Sequence, residues 1–147
     1  MKRPWKLLAA LAVTALWICF IYARSAQPAA QSGEESSRWL ILLRRLIPSI
    51  SLHAVRKLAH FTEYWILGAL LALDWRLWGR GGVWLPLIPG LAVAASDELL
   101  QTFIPGRSGQ LSDVLLDCFG AACAVLPVWL LCRRKERSSS GTGSKTP

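Results

Sequence analysis

Polar and ionisable side chains interrupt three otherwise apolar segments of this chain of 147 residues. Within each segment they recur three or four residues apart, which places them on one face of a helix. An imidazole and several carboxylates in this pattern could transfer protons, hold a metal ion or recognise a polar ligand. With one loop arginine, the candidate binding residues are His60, Glu63, Asp97, Glu98, Gln101, Arg107, Asp113 and Asp117.

The composition indicates what surrounds these residues. The chain is 53% hydrophobic with eight Trp, and its mean hydropathy is +0.36, so it is too apolar for an ordinary soluble domain. Four stretches approach the roughly 20 residues needed to cross a hydrocarbon core. They cover residues 5–23, 58–75, 83–104 and 111–132. We therefore predict an all-α integral membrane four-helix bundle.

A charge facing lipid costs roughly 2.5 to 3.5 kcal/mol at the bilayer centre, so the polar faces should turn inward and meet. At about 1.5 Å per residue, Glu63, Asp97, Glu98 and Asp117 share a layer roughly 8 to 11 Å below the outer helix ends. His60, Gln101 and Asp113 lie above that layer, under Arg107. The small residues expected to let helices approach closely are Gly68, Ala69, Ala72, Gly90, Ala94, Gly120 and Ala124.

So many carboxylates in one confined pocket cannot all stay ionised without compensation. Protonation, the nearby cations Arg56, Lys57 and Arg107, or a bound divalent metal could each supply it. The sequence does not choose among the three, and helix adhesion through hydrogen bonds is a purely structural alternative. The metal-ligand candidates are His60, Glu63, Asp97, Glu98 and Asp117.

The distribution of Lys and Arg predicts the orientation. With the N-terminus inside, ten of the 17 basic residues are cytoplasmic, so both termini are expected in the cytoplasm and the polar layer on the outer side. The net charge of +8 is explained by basic helix flanks that meet lipid headgroups, and no nucleic-acid partner is expected. The first segment resembles a signal peptide, but its apolar run is long for one, which favours a retained helix.

We divide the chain into three parts. Residues 1–24 form a signal-anchor-like first transmembrane helix, 25–132 the core with three further transmembrane helices, and 133–147 a disordered basic cytoplasmic tail. In the first outer segment, the polar stretch 27–37 predicts a loop. Residues 38–47, ended by Pro48, predict a short interfacial helix, more in keeping with an anchor than with a lid.

Two motifs resemble the signatures of the VanZ-like membrane proteins. Residues 56–68 read RKLAHFTEYWILG, and residues 96–109 contain SDELLQ followed by IPGRSG, ahead of Asp113 and the DCFG sequence that begins at Asp117. The resemblance implies a four-helix protein of the bacterial plasma membrane. Its family is named for a member linked to low-level resistance to the antibiotic teicoplanin. It implies no particular reaction.

Two function classes follow. In the first, the pocket binds a cell-envelope component, such as a lipid headgroup or a glycopeptide-related ligand, and modulates glycopeptide susceptibility. In the second, the chain is a metal-dependent membrane enzyme acting on a lipid-linked phosphate, which the PGRSG loop could cradle. The catalytic candidates are His60, Glu63, Asp97, Glu98 and Asp113. Ion transport is less favoured, because the inner halves of the segments contain only one acidic residue, Asp74.

Overall fold

The computed structural model describes residues 4–79 and 82–141, with side chains described as far as residue 131. This part of the chain is all-helical. The helices are α1 (Pro4–Ser25), α2 (Ala29–Leu43), α3 (Leu52–Trp78), α4 (Leu87–Gln101) and α5 (Leu111–Gly141). The predicted all-α fold is confirmed. A helix, α2, lies between the first two long helices, where a short one was predicted, although its bounds differ.

Helix α3 is the centre of the fold and packs against α1, α2, α4 and α5. It begins at Ser51, whose side chain accepts a hydrogen bond from the Ala54 amide at 3.1 Å. It ends at Gly79, which has φ 82° and so adopts the left-handed conformation that glycine tolerates best. These two signals define a helix of 27 residues, long enough to contact all its neighbours.

Glycines allow α3 and α5 to pack backbone to backbone. A Cβ at Gly68 would lie 2.4 Å from the carbonyl oxygen of Ala121, and one at Gly120 would lie 2.7 Å from that of Phe61. Both glycines were expected to permit close approach. Gly90 behaves differently, since a Cβ there would make only ordinary contacts, at 3.6 Å from Leu71.

The fold is apolar outside and partly charged inside. Leu8, Leu16 and Leu131 are 67%, 71% and 66% exposed, whereas Asp97 and Asp117 are completely buried. A lipid environment favours this inverted distribution. Helix α1 and the Leu111–Leu131 part of α5 are long and apolar enough to cross a membrane. Both observations indicate association with a membrane.

Helix α2 differs from the prediction for the first outer segment. The polar stretch 27–37 was expected to be a loop, yet most of it lies in α2. Two of its serines are satisfied within the helix, since Ser36 donates to the Ser32 carbonyl and Ser37 to that of Gly33, both at 2.8 Å. The expected helix over residues 38–47 is the last part of α2 followed by a turn, because α2 ends at Leu43.

The predicted spans also need correction. Helix α4 has 15 residues instead of the expected span 83–104, and is therefore about 22 Å long, short of a hydrocarbon core of about 30 Å. It starts after Pro86, and turns follow Gln101. Helix α5 continues to Gly141, into the tail predicted to be disordered, and residues 142–147 lie outside the described part.

Candidate functional site

The candidate residues meet at one end of the bundle. They come from the C-terminal ends of α1 and α4 and the N-terminal halves of α3 and α5, which run in alternating directions. Gln101 lies 3.4 Å from the Ser25 hydroxyl, and His60 lies 3.6 Å from Asp117. Helices α3, α4 and α5 thus supply the polar faces that helical spacing predicted, and α1 contributes its C-terminal end, which was not predicted.

Four side chains form the centre of this site, and we call them the four-residue cluster: His60, Asp97, Glu98 and Asp117. Each offers a nitrogen or oxygen atom that lies within 4.8 Å of those of the other three. Glu98 is 4% exposed, and the His60 side chain is 16% exposed. The distance from His60 Nδ1 to Asp117 Oδ1, 3.6 Å, is too long for a hydrogen bond.

Gln101 and the loop before α5 hold two of these carboxylates. The Gln101 amide nitrogen lies 3.2 Å from Glu98 Oε1 and 3.4 Å from Asp97 Oδ2. The backbone N–H of Gln110 donates to Glu98 Oε2 at 2.9 Å. A Cβ at Gly109 would lie 2.3 Å from the Glu98 carbonyl oxygen, so only glycine lets the loop approach this closely. Both oxygens of Glu98 are therefore fixed.

Glu63 and Asp113, also predicted site residues, lie outside the four-residue cluster. Glu63 Oε1 is 3.6 Å from Arg24 Nε, and the Arg24 guanidinium also pairs with Glu35 of α2. Asp113 accepts a hydrogen bond from Lys57 Nζ at 2.6 Å. These two carboxylates pair with an arginine or a lysine, whereas the basic side chain nearest to Asp117 is the His60 imidazole at 3.6 Å.

Arg107 closes the site from the loop after α4. Its Nη1 donates to the carbonyl oxygens of Arg24 at 3.3 Å and Ser25 at 3.0 Å, so it joins this loop to the end of α1. Burial lowers the pKa of Arg107, although Asp97 opposes the effect and Arg56 adds to it. An arginine still keeps its charge at neutral pH, so a cation is held next to the acidic centre.

A cavity of about 130 Å³ opens beside the cluster, and we call it the basic cavity. His60 and Gln101 connect it to the four-residue cluster. Its other lining residues are Ala29, Ser32, His53, Arg56, Lys57, Gly106, Arg107, Ser108, Gln110, Asp113 and Leu116. A smaller cavity of about 30 Å³ extends from His60 toward Glu63 and Arg24. A solute in the basic cavity would therefore contact cationic side chains and Asp113, with His60 leading to the cluster.

Several residues at the site were not among the predicted binding residues, although Arg56 and Lys57 had been considered as compensating cations: Arg24, Ser25, Ser32, His53, Arg56, Lys57 and Gln110. Three of them were detectable by helical periodicity. His53, Arg56 and Lys57 precede His60 by seven, four and three residues, which places all four on one face of α3. Arg24 and Ser25 are at the site because of how α1 packs, and Gln110 because of the path of the loop between α4 and α5. The sequence pattern indicates neither.

Comparison with known proteins supports the resemblance. The sequence model of the VanZ/LLP1 family matches residues 10–132. No curated protein and no solved structure matches the chain significantly. The family match covers most of the chain, including α3, α4 and the first part of α5 with every candidate site residue, and the chain therefore belongs to the VanZ/LLP1 family.

Proposed function

We propose that this chain is a multi-pass protein of the bacterial plasma membrane, with both termini in the cytoplasm and its polar site open to the outer side. The exposed apolar faces of α1 and α5 and the burial of the charged residues support the membrane assignment. The distribution of basic residues along the sequence supports the orientation.

In this proposal the basic cavity binds the anionic headgroup of an envelope component. The observation that carries the proposal is that three cationic side chains line a single cavity of about 130 Å³ together with two imidazoles: Arg56, Lys57 and Arg107, with His53 and His60. Arginine is well suited to recognising phosphate and carboxylate groups, because its fork of N–H donors matches their oxygens. A lipid-linked phosphate fits this chemistry and would reach the site from the bilayer.

The charges around the cavity favour an anion. Arg56 and Arg107 repel each other, and Arg56 Nε is buried without a hydrogen-bond partner in the described part of the chain. Lys57 is compensated by Asp113. An anion between the two guanidinium groups would offset their repulsion and supply acceptors for free donors. The proposal therefore assigns Arg56 and Arg107 the main binding role and Lys57 a smaller one.

Anion binding can be tested with the full-length protein in detergent. We expect pyrophosphate to change the tryptophan fluorescence saturably, and Arg107→Ala and Arg56→Ala to weaken binding by at least about tenfold, as expected when a charged hydrogen-bond partner is lost. Arg45→Ala removes an equal charge from an exposed position outside the cavity and should bind like wild type. Pyrophosphate binding is also compared in vesicles with and without anionic lipid, which distinguishes a lipid headgroup from a free phosphate as the ligand. Equal binding by all variants would contradict the proposal.

We extend the proposal to the antibiotic response, on the basis of family membership. If the pocket binds an envelope component, Glu98→Gln and Arg107→Ala should change susceptibility to teicoplanin. The test uses cells whose teicoplanin susceptibility depends on this chain. Membrane fractions must contain equal amounts of each variant. If susceptibility changes only where the protein level falls, the side chains have a structural role.

A metal-dependent enzyme acting on a lipid-linked phosphate is the second candidate. The observation that favours it is the four-residue cluster directly behind the basic cavity, since His60 lines the cavity and belongs to the cluster. An imidazole there could transfer a proton to or from a bound phosphate ester. Purified protein should then release phosphate from lipid-linked substrates, and His60→Ala should abolish the release. Absence of release under all metal conditions removes this candidate.

A further inference from the structure

The four-residue cluster has the donor set of a metal site. Its ligand atoms come from three helices: His60 from α3, Asp97 and Glu98 from α4, and Asp117 from α5. All lie within 4.8 Å of one another. Ligand atoms sit about 2.0 to 2.2 Å from a first-row dication, so atoms on opposite sides of it are about 4 Å apart. Small side-chain movements would bring the four groups to that geometry.

A second observation points to a ligand: several of these atoms are buried with no partner. Asp117 is 0% exposed, and neither of its carboxylate oxygens accepts a hydrogen bond from the described residues. Asp97 is also 0% exposed, and its Oδ1 is likewise unpartnered, as is His60 Nδ1. A buried carboxylate without hydrogen bonds or a counter-charge is costly. Four such atoms lie together in the cluster, and Asp117 is the one described residue with both side-chain oxygens unpartnered.

Two of the neighbouring cations are paired with other carboxylates. Lys57 pairs with Asp113, and Arg24 pairs with Glu35 and Glu63. This separates the carboxylates at the site into two groups. One is paired with a lysine or an arginine, and the other, in the cluster, has only the His60 imidazole and the Arg107 charge nearby. A dication between the carboxylates of Asp97, Glu98 and Asp117 would supply the missing positive charge.

The surroundings orient the cluster as metal sites require. The Gln101 amide lies against Asp97 Oδ2 and Glu98 Oε1, and the Gln110 N–H is bonded to Glu98 Oε2. Hydrogen bonds from outer residues to ligating carboxylates fix their direction and raise affinity. These bonds leave Asp97 Oδ1 and both Asp117 oxygens available.

We infer that His60, Asp97, Glu98 and Asp117 bind a divalent transition-metal cation. Carboxylates suit Mn²⁺ and imidazole suits Zn²⁺ or Fe²⁺, so a set of three carboxylates and one imidazole favours a first-row cation over Ca²⁺ or Mg²⁺. The site does not depend on the proposed headgroup binding, and the cation would lie behind the basic cavity, with His60 between the two. The enzyme candidate would need this cation.

The test uses full-length protein, freed of metal by chelation and titrated with Mn²⁺ while electron paramagnetic resonance follows the free ion. We expect saturable binding of one Mn²⁺ per chain, and binding at least about tenfold weaker in Asp117→Asn, since even the loss of an outer-shell partner costs that much. Asp74→Asn is the matched control, because Asp74 is a buried aspartate at the other end of α3 and should not affect the affinity. No saturable binding at millimolar Mn²⁺, or equal affinity of the two variants, would overturn the inference.

A second measurement covers the case in which Asp117→Asn does not fold. The wild-type Mn²⁺ complex should show nitrogen modulation in pulsed electron paramagnetic resonance, because the imidazole of His60 coordinates the ion. Its absence would contradict the site as assigned. The metal titration is done without phosphate, and the pyrophosphate titration is done with a chelator. Failure of the metal site is therefore distinguishable from failure of anion binding in the basic cavity.

Discussion

Gly68 of α3 lies directly against the backbone of Ala121 in α5, so closely that a Cβ on Gly68 would come within 2.4 Å of the Ala121 carbonyl oxygen. This contact sets the spacing of the two helices that carry His60 and Asp117. The two helices must separate, or α5 must rotate, to accept any larger residue.

We therefore expect Gly68→Ala to destabilise the protein by about 1 to 3 kcal/mol, the usual cost of overpacking. Gly90→Ala is the control, because its Cβ would make only ordinary contact at 3.6 Å from Leu71 and alanine favours the helix. Size-exclusion chromatography after heating in detergent measures the difference. Equal heat resistance of the two variants would contradict the close packing.

A second prediction concerns the buried carboxylate at the opposite end of α3. The Thr14 hydroxyl of α1 donates to Asp74 Oδ2 at 2.6 Å, and both residues are buried. Thr14→Val keeps the shape and removes the donor, so it should cost about 1 to 3 kcal/mol, the penalty for an unsatisfied buried group. Thr14→Ser retains the hydroxyl and should preserve most of the stability. Metal affinity should be unchanged in both variants, since neither residue contacts the cluster.

A third prediction concerns the loop that holds Glu98. Gly109→Ala places a Cβ 2.3 Å from the Glu98 carbonyl and 2.8 Å from Thr102 Cγ2, which must displace the loop and its Gln110 hydrogen bond. We expect Mn²⁺ affinity to fall by about 10 to 100-fold, as for other losses of an outer-shell partner. Gly90→Ala, in the same helix as Glu98, should bind as wild type. Unchanged affinity in Gly109→Ala would show that this bond is dispensable.

A fourth prediction concerns orientation. Gly109 is too tightly packed to be labelled as cysteine, but its neighbour Ser108 is exposed. In a background without the natural cysteines, Ser108→Cys should react with an impermeant thiol reagent in intact cells. Trp84→Cys, 60% exposed in the loop at the other end of the bundle, should react only after lysis. The opposite pattern would place the site on the cytoplasmic side.

Helical spacing predicted which side chains lie together better than composition predicted the bounds of the helices. His60, Asp97, Glu98 and Asp117 meet because apolar segments with polar faces bury those faces together. The same reasoning placed Glu63 among the metal-ligand candidates, but the ion pair with Arg24 draws it away from the cluster. Arg24 lies at the end of an apolar helix, and nothing local in the sequence connects it to residue 63.

The error at α2 has a related physical cause. Its serines and glutamates are typical of a loop, but the Arg24–Glu35 ion pair and the Ala29 amide, which donates to the Pro105 carbonyl at 3.2 Å, attach this stretch to the bundle. Such long-range contacts override weak local propensity. The stretch expected to be a loop therefore supplies Ala29 and Ser32 to the wall of the basic cavity.

The bonds from Arg107 to the carbonyls of Arg24 and Ser25, together with the contact of Gln101 with Ser25, make the end of the first helix part of the site. An expression strategy that treats this helix as a leader and begins the chain beyond it would remove Arg24 and expose the α3 surface that covers Ile21. Truncations and purification tags are therefore best placed at the C-terminal end of the chain.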